Sequence, residues 1–180
     1  QRHISSSRLW EPDLVGIIKT AGANISREQG NSHLVNVGAH IGTICVPCAH
    51  SFSTVTAFEP VRSNFDHLNL HKDINALQHL STFNLALSDC EQRANVVFNP
   101  RNTGGTHVVN KEDIQKNIRH AQSCLDDSHT VNCVTLDSMS QKLDKIDVLV
   151  VDIEGHEDKF IDGAYKTINN QLPVLIIEIW

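Results

Sequence analysis

The stretch Leu34-Val35-Asn36-Val37-Gly38-Ala39-His40-Ile41-Gly42-Thr43 constrains this chain more than any other. A short apolar run leads into a turn with two glycines and then into the start of a helix. Such a run reads as a parallel strand covered on both faces. Gly38 and Gly42 stand where the backbone must turn tightly and where a ligand can approach without a Cβ in the way. A helix that begins near Thr43 would aim free N–H groups at that ligand. Strand, turn and helix together call for an α/β fold with a parallel sheet. Its ligand site would lie beyond the carboxyl ends of the strands.

A second β-branched run, Thr54-Val55-Thr56-Ala57-Phe58, ends in Glu59-Pro60. Glu59 falls about twenty residues past the glycine turn, where a nucleotide-type ligand presents its ribose hydroxyls. A carboxylate can accept from both hydroxyls at once. A dinucleotide fingerprint, G-x-G-x-x-G, makes room for a pyrophosphate. Here Ala39 follows Gly38 and only G-x-x-x-G remains. The pattern favours a ligand with a ribose and no pyrophosphate, such as S-adenosylmethionine. Two other classes stay open. An NAD-dependent oxidoreductase would use a similar sheet, and the missing third glycine argues against it. A non-catalytic binding module of the same fold is the other.

The remaining segments extend this plan. Residues 1–10 read as a polar lead-in, 11–21 as a short helix with Leu14, Ile17 and Ile18 at helical spacing, and 21–32 as a loop. Residues 61–76 carry Val61, Phe65, Leu68, Leu70 and Ile74 at helical spacings, so an amphipathic helix is expected there. Residues 81–87 read as the third strand, ending in Ser88-Asp89. Gly38, Glu59 and Asp89 then all lie at strand ends and converge on one crevice.

Residues 91–146 form a long insertion. A connection of that length in a compact domain is usually functional. Within it, 94–98 and 106–109 suit an antiparallel ribbon around Asn102-Thr103-Gly104-Gly105, and 111–129 reads as a surface helix or loop. Residues 131–136 are strand-like and lead to a helical turn near Asp137. The fourth core strand is expected over 147–152, a helix with the stripe Phe160, Ile161, Ala164 and Ile168 follows, and 174–179 is the fifth strand.

Asp152-Ile153-Glu154-Gly155-His156-Glu157 closes the fourth strand with three carboxylates and an imidazole. Asp152, at the strand tip, is best placed to face a transferring group. His156 has the intrinsic pKa of a general base near neutrality. Glu157 suits the N-terminus of the following helix better than catalysis. Carboxylates at strand ends can bind hard cations, but nothing in this spacing demands one, and no metal is assigned.

A formal net charge of -6 argues against a nucleic-acid partner. No apolar run approaches the roughly 20 residues that span a bilayer, and the first residues lack the apolar core of a signal peptide. The five cysteines show no disulfide framework. Cys45-Val46-Pro47-Cys48 has redox spacing, but it follows a turn that already has a role, and cysteine packs well as a small apolar residue.

Taken in order, Glu11-Pro12, Val37-Gly38-Ala39-His40-Ile41-Gly42, Phe58-Glu59-Pro60, Ala86-Leu87-Ser88-Asp89, Asn102-Thr103-Gly104-Gly105, Thr135-Leu136-Asp137, Asp152-Ile153-Glu154-Gly155-His156-Glu157 and Ile177-Glu178-Ile179 resemble the motifs of FkbM-type methyltransferases over residues 11–180. The resemblance implies the three-layer, Rossmann-like, mostly parallel sheet of class I methyltransferases in a single domain. It implies S-adenosylmethionine as cofactor, held by Asn36, Gly38, Ala39, His40, Gly42, Thr43, Glu59, Pro60, Ser88, Asp89 and Asp152. Asp152, Glu154 and His156 would be catalytic, and Asn102, Gly104, Gly105 and Glu178 would meet a small-molecule substrate. O-methylation of a small molecule or sugar is the activity implied, and a cytoplasmic location is expected for the chain. Asn36 stands where the family usually carries an aspartate, and its amide can still hydrogen-bond to the cofactor's methionine part. The family has two strands after the fifth. With a start at Gln1 and no initiator methionine, and a stop where the fifth strand ends at Trp180, the chain reads as cut at both ends, with an open edge at the fifth strand and a cofactor crevice completed by the first four.

Overall fold

The computed structural model describes residues 10–97, 107–109 and 130–179. Asn102, Gly104 and Gly105, the segment 111–129, and the lead-in apart from Trp10 lie outside the described residues.

Five parallel strands form the main sheet in the order β3-β2-β1-β8-β9. They are β1 (His33–Val37), β2 (Thr54–Phe58), β3 (Leu80–Phe83), β8 (Val148–Val151) and β9 (Val174–Ile177). Every residue of β1 and β8 is buried, as the unbroken apolar run of β8 predicts; in β1 the polar His33 and Asn36 are buried along with the apolar residues. Strand alternation sends Leu34, Val55, Leu80, Val148 and Val150 to one face, where they meet α1 (Pro12–Gln29), α2 (Cys45–Cys48) and α3 (Arg62–Ile74). Val35, Val37, Phe58, Leu149 and Val151 go to the other face, against α4 (Leu136–Met139) and α5 (Glu157–Gln171). Helices therefore cover both faces, which gives the three expected layers.

A second sheet has the order β4-β7-β5-β6. It consists of β4 (Ala86–Leu87), β5 (Gln92–Val97), β6 (His107–Val109) and β7 (Thr130–Val134). Asn95 lies opposite Val109 and Val97 opposite His107, in antiparallel register. This is where the sequence suits a ribbon.

The structure differs from the sequence-based expectation in four places. Helix α1 continues to Gln29 through residues expected as loop, and Gly30, with φ 85°, closes it by donating to Ser26 O. Gly22 is a packing contact and does not break the helix: a Cβ there would lie 2.6 Å from the Phe52 ring. Burial of Val15, Ile18 and Gly22 outweighs the weak helix propensity of Gly, Asn and Ser. The helix expected from Thr43 is a single turn, α2, continued by a 3-10 turn at Ala49–Ser51.

In α3, Leu70 and Ile74 are exposed, while Asn64 and Leu68 are buried. The run 81–87 splits into β3, which joins the main sheet, and β4, which joins the second sheet beside β7. At the break, Asn84 Nδ2 donates to the carbonyls of Glu59 and Pro60, at 2.9 and 2.8 Å. An interior polar side chain that binds a neighbouring loop draws the chain out of the ladder.

Among the described residues β9 pairs only with β8, so it is a sheet edge, and Val174 and Leu175 are exposed. No helix of the described residues is long and apolar enough to cross a membrane.

Candidate functional site

A cavity of about 860 Å³ opens at the carboxyl ends of the central strands. Asn36, Gly38, His40 and Thr43 reach it from β1 and its turn, Glu59 and Pro60 from β2, Asp152, Glu154 and His156 from β8, and Glu178 from β9. Ala39, Gly42, Ser88 and Asp89 do not line it. Ala39 is core. A Cβ on Gly42 would meet Val46 and Leu68. Ser88 and Asp89 follow β4 in the second sheet, so they leave the central crevice when β3 and β4 separate.

The glycine turn is built differently from the expectation. Gly38 has φ 76°, and a Cβ there would fall 1.9 Å from the carbonyl oxygen of Asp152. The missing side chain makes room for the end of β8, and Gly38 also lines the cavity. Gly38 N and Ala39 N both donate to Phe58 O, at 3.0 and 2.9 Å, and so fasten the turn to β2.

Glu59 is 4% exposed, and both its oxygens are engaged. Oε2 accepts from His40 N at 2.8 Å, while Oε1 accepts from Val61 N at 2.9 Å and from Asn64 Nδ2 at 3.4 Å. A carboxylate offers about four acceptor positions, so these three donors leave one position on Oε2, and Glu59 lines the cavity. Burial pushes the Glu59 carboxyl up to about 7, against the lowering effect of the three hydrogen bonds.

Asn36 is 1% exposed, and its Oδ1 is the one buried side-chain nitrogen or oxygen among the described residues without a hydrogen-bond partner. Buried polar atoms are normally paired. This one lines the cavity. Asp152 stands at the mouth, open to solvent on one side with its carboxyl partly enclosed. Burial of its carboxyl, then the charges of Glu178, Glu154, Glu11 and Glu157, push it up to about 6. No lysine or arginine among the described residues lines the cavity, so its field is anionic and suits a cationic ligand. Glu11, His40 and Glu154 also have left-handed backbone, with φ of 43°, 51° and 53°. Strain of that kind gathers at functional sites.

His156 is buried, with Nε2 2.9 Å from Ser88 Oγ. Burial, then the charge of Lys159, lowers its pKa, so the ring is neutral at neutral pH. Glu157 accepts from Gly155 N at 2.9 Å and holds the loop before α5. The thiols of Cys45 and Cys48 are pushed up to about 12 and about 11, chiefly by burial. That opposes redox activation, which needs a stabilised thiolate. Among the described residues no group of three His, Cys, Asp or Glu side chains converges as a metal site.

The sequence reading missed Trp10, Glu11 and Leu14, which bring the start of α1 to the cavity, and Asn64, which supports Glu59. The one available signal was Glu11-Pro12 directly ahead of an apolar stripe.

Residues 36–179 match the family model described as the methyltransferase FkbM domain. The crystal structure of methyltransferase FkbM from Methylobacillus flagellatus KT is similar, with a TM-score of 0.53 at 19% identity. The match covers 82% of this chain and 32% of that one, so the chain spans about a third of that protein's length. A putative O-methyltransferase from Klebsiella pneumoniae aligns at a TM-score of 0.31 and 11% identity, over 46% of this chain and 47% of its own, too distant for any argument. No curated protein matches the chain.

Proposed function

Because the chain belongs to the FkbM methyltransferase family, we propose that it binds S-adenosylmethionine in the cavity above β1 and transfers a methyl group to a hydroxyl of a small molecule or sugar. The observation that carries this reading is the buried, unpaired Oδ1 of Asn36 in a cavity walled by carboxylates and lacking lysine and arginine. Such a site wants a ligand that is cationic and donates hydrogen bonds. When bound, the cofactor supplies an electrophilic methyl on a positive sulfur and carries an ammonium. Asn36 Oδ1 and Asp152 would accept from the ammonium end. The remaining position on Glu59 Oε2 would accept from one ribose hydroxyl, so the other hydroxyl needs a different partner.

Methyl transfer asks little covalent work of the protein. The chain must hold the acceptor oxygen in line with the methyl and take up a proton. The carboxylates around Asp152 raise the local affinity for positive charge. His156 is neutral and able to accept a proton. Glu154 and Glu178 border the same space, where they would orient the acceptor.

Calorimetric titration with S-adenosylmethionine tests the reading. Binding is expected at pH 7.5, and the absence of any heat from folded protein would overturn it. Asp152 is ionised above about pH 6 and takes up a proton below it. Affinity for a cation should therefore be full above that value and fall as the pH drops through it. Between pH 7 and pH 5 the loss should be about fivefold, the scale of roughly 1 kcal/mol for a partly exposed charge pair. Asp152→Asn should flatten this dependence; a profile unchanged by the substitution would assign the titration to another group.

A further inference from the structure

His156, Ser88 and Asp89 form a hydrogen-bonded chain that joins the end of β4 to the start of α5. Ser88 Oγ donates to Asp89 Oδ1 at 2.9 Å. The same oxygen lies 2.9 Å from His156 Nε2. A hydroxyl has one proton. Asp89 cannot return one, because its carboxyl is held below the usual range: burial works against this, but hydrogen bonds from Ser88 and Cys90 and the charge of Lys159 outweigh it. Ser88 therefore accepts from His156, and the proton of the neutral ring sits on Nε2. The lone pair is left on Nδ1, which has no hydrogen-bond partner among the described residues. Nor is Nδ1 sealed away, since Asn36 Oδ1 is the one unpaired buried side-chain atom. His156 lines the cavity.

We propose that Asp89 and Ser88 are positioning residues that lock His156 in the Nε2–H form and present its Nδ1 to the acceptor hydroxyl as the general base. The base role rests on the transferase reading; the locked tautomer does not. In the step, the acceptor oxygen bonds to the methyl carbon as the carbon–sulfur electron pair returns to sulfur, and the hydroxyl proton passes to Nδ1. The resulting imidazolium keeps its Nε2–H on Ser88, whose own proton points to the Asp89 carboxylate. Glu157, Asp158 and Lys159 on α5 supply the other charges felt by the ring.

The seat of the chain is rigid. Ser88 N donates to Val134 O at 2.9 Å, and a Cβ on Gly163 would fall 1.9 Å from Ser88 O, so α5 lies directly against this turn. Ser88 and Asp89 thus do not contact the cavity, yet they act on it through the imidazole.

The test is 1H–15N spectroscopy of the ligand-free protein with labelled histidine, His156 being assigned by loss of its signals in His156→Gln. A protected Nε2–H resonance is expected in the wild type and should be lost in Ser88→Ala. In Asp89→Ala, a substitution at an exposed position, the proton should divide between Nε2 and Nδ1. A wild-type proton on Nδ1, or an Nε2–H resonance that survives Ser88→Ala, would overturn the lock. Adding S-adenosylmethionine should shift the Nδ1 resonance. If calorimetry shows binding and that resonance stays still, the base placement is wrong. If nothing binds, the transferase reading fails, and the ligand-free spectra still decide the lock.

Discussion

Replacing Gly38 with alanine is expected to cost on the order of 4 kcal/mol of folding stability, a size seen only for a few kinds of core defect. An L-residue in the left-handed region costs roughly 1–2 kcal/mol, and Gly38 has φ 76°. The larger part is steric. The new Cβ would stand 1.9 Å from the Asp152 carbonyl oxygen and 3.0 Å from Ile153 Cγ2. To make room, the end of β8 must leave β1, to which it is paired through Val37 and Val151. Overpacking of that kind typically costs about 1–3 kcal/mol. Gly155 is the control: it has φ 90° but nothing within 4 Å of an added Cβ, so alanine there should cost only backbone strain. Urea unfolding of both variants decides the matter. A Gly38→Ala protein within about 1 kcal/mol of wild type would show that the β8 end yields cheaply. The glycine's first duty is thus to the fold. The sequence places Gly38 where a Cβ would obstruct a ligand; loss of cofactor binding in a Gly38→Val protein would instead follow from the displaced strand.

Glu59→Ala should also lose stability as well as affinity. Removal of the carboxylate strands His40 N and Val61 N in a nearly closed site, at about 1–3 kcal/mol for each unsatisfied group. Relief of a buried charge offsets part of this, leaving a net loss of about 2–3 kcal/mol. The pH dependence separates the terms. The folded carboxyl titrates at about 7, above its ordinary 4.5. For an acid raised on folding, the protonated form is the one the fold favours. Its contribution is therefore greatest below about pH 4.5 and is lost as the pH rises to about 7. That part of the wild-type slope should vanish in Glu59→Ala, measured by urea unfolding at pH 5 and pH 8. If the variant is as stable as wild type at pH 8 and loses only S-adenosylmethionine affinity, Glu59 is a ligand contact and not a strut of the turn.

Local patterns in the chain are enough to place the centre of the sheet. β1, β2 and β8 are short, apolar and β-branched, flanked by turn residues, and such runs have few other places to go than a doubly covered parallel sheet. The same holds for the stripe of α5 and for the strand-tip acids, since direction along a strand puts its carboxyl end at the ligand side. Glu59, Asp152 and His156 were found in this way, Asn36 through the family resemblance, and all line the cavity.

The rest depended on contacts between segments far apart in sequence. Helix α1 outlasts its weak formers because Gly22 seats Phe52. The run 81–87 breaks because Asn84 finds carbonyls in another loop. Ser88 stands outside the cavity lining and hydrogen-bonds a histidine 68 positions away. What Gly38 accommodates, how many donors Glu59 already holds, and how far burial and four neighbouring carboxylates push Asp152 are likewise sums over neighbours. A spacing pattern names which residues reach a strand tip, and only the packing of other segments around that tip determines which lone pairs and charges remain for a ligand.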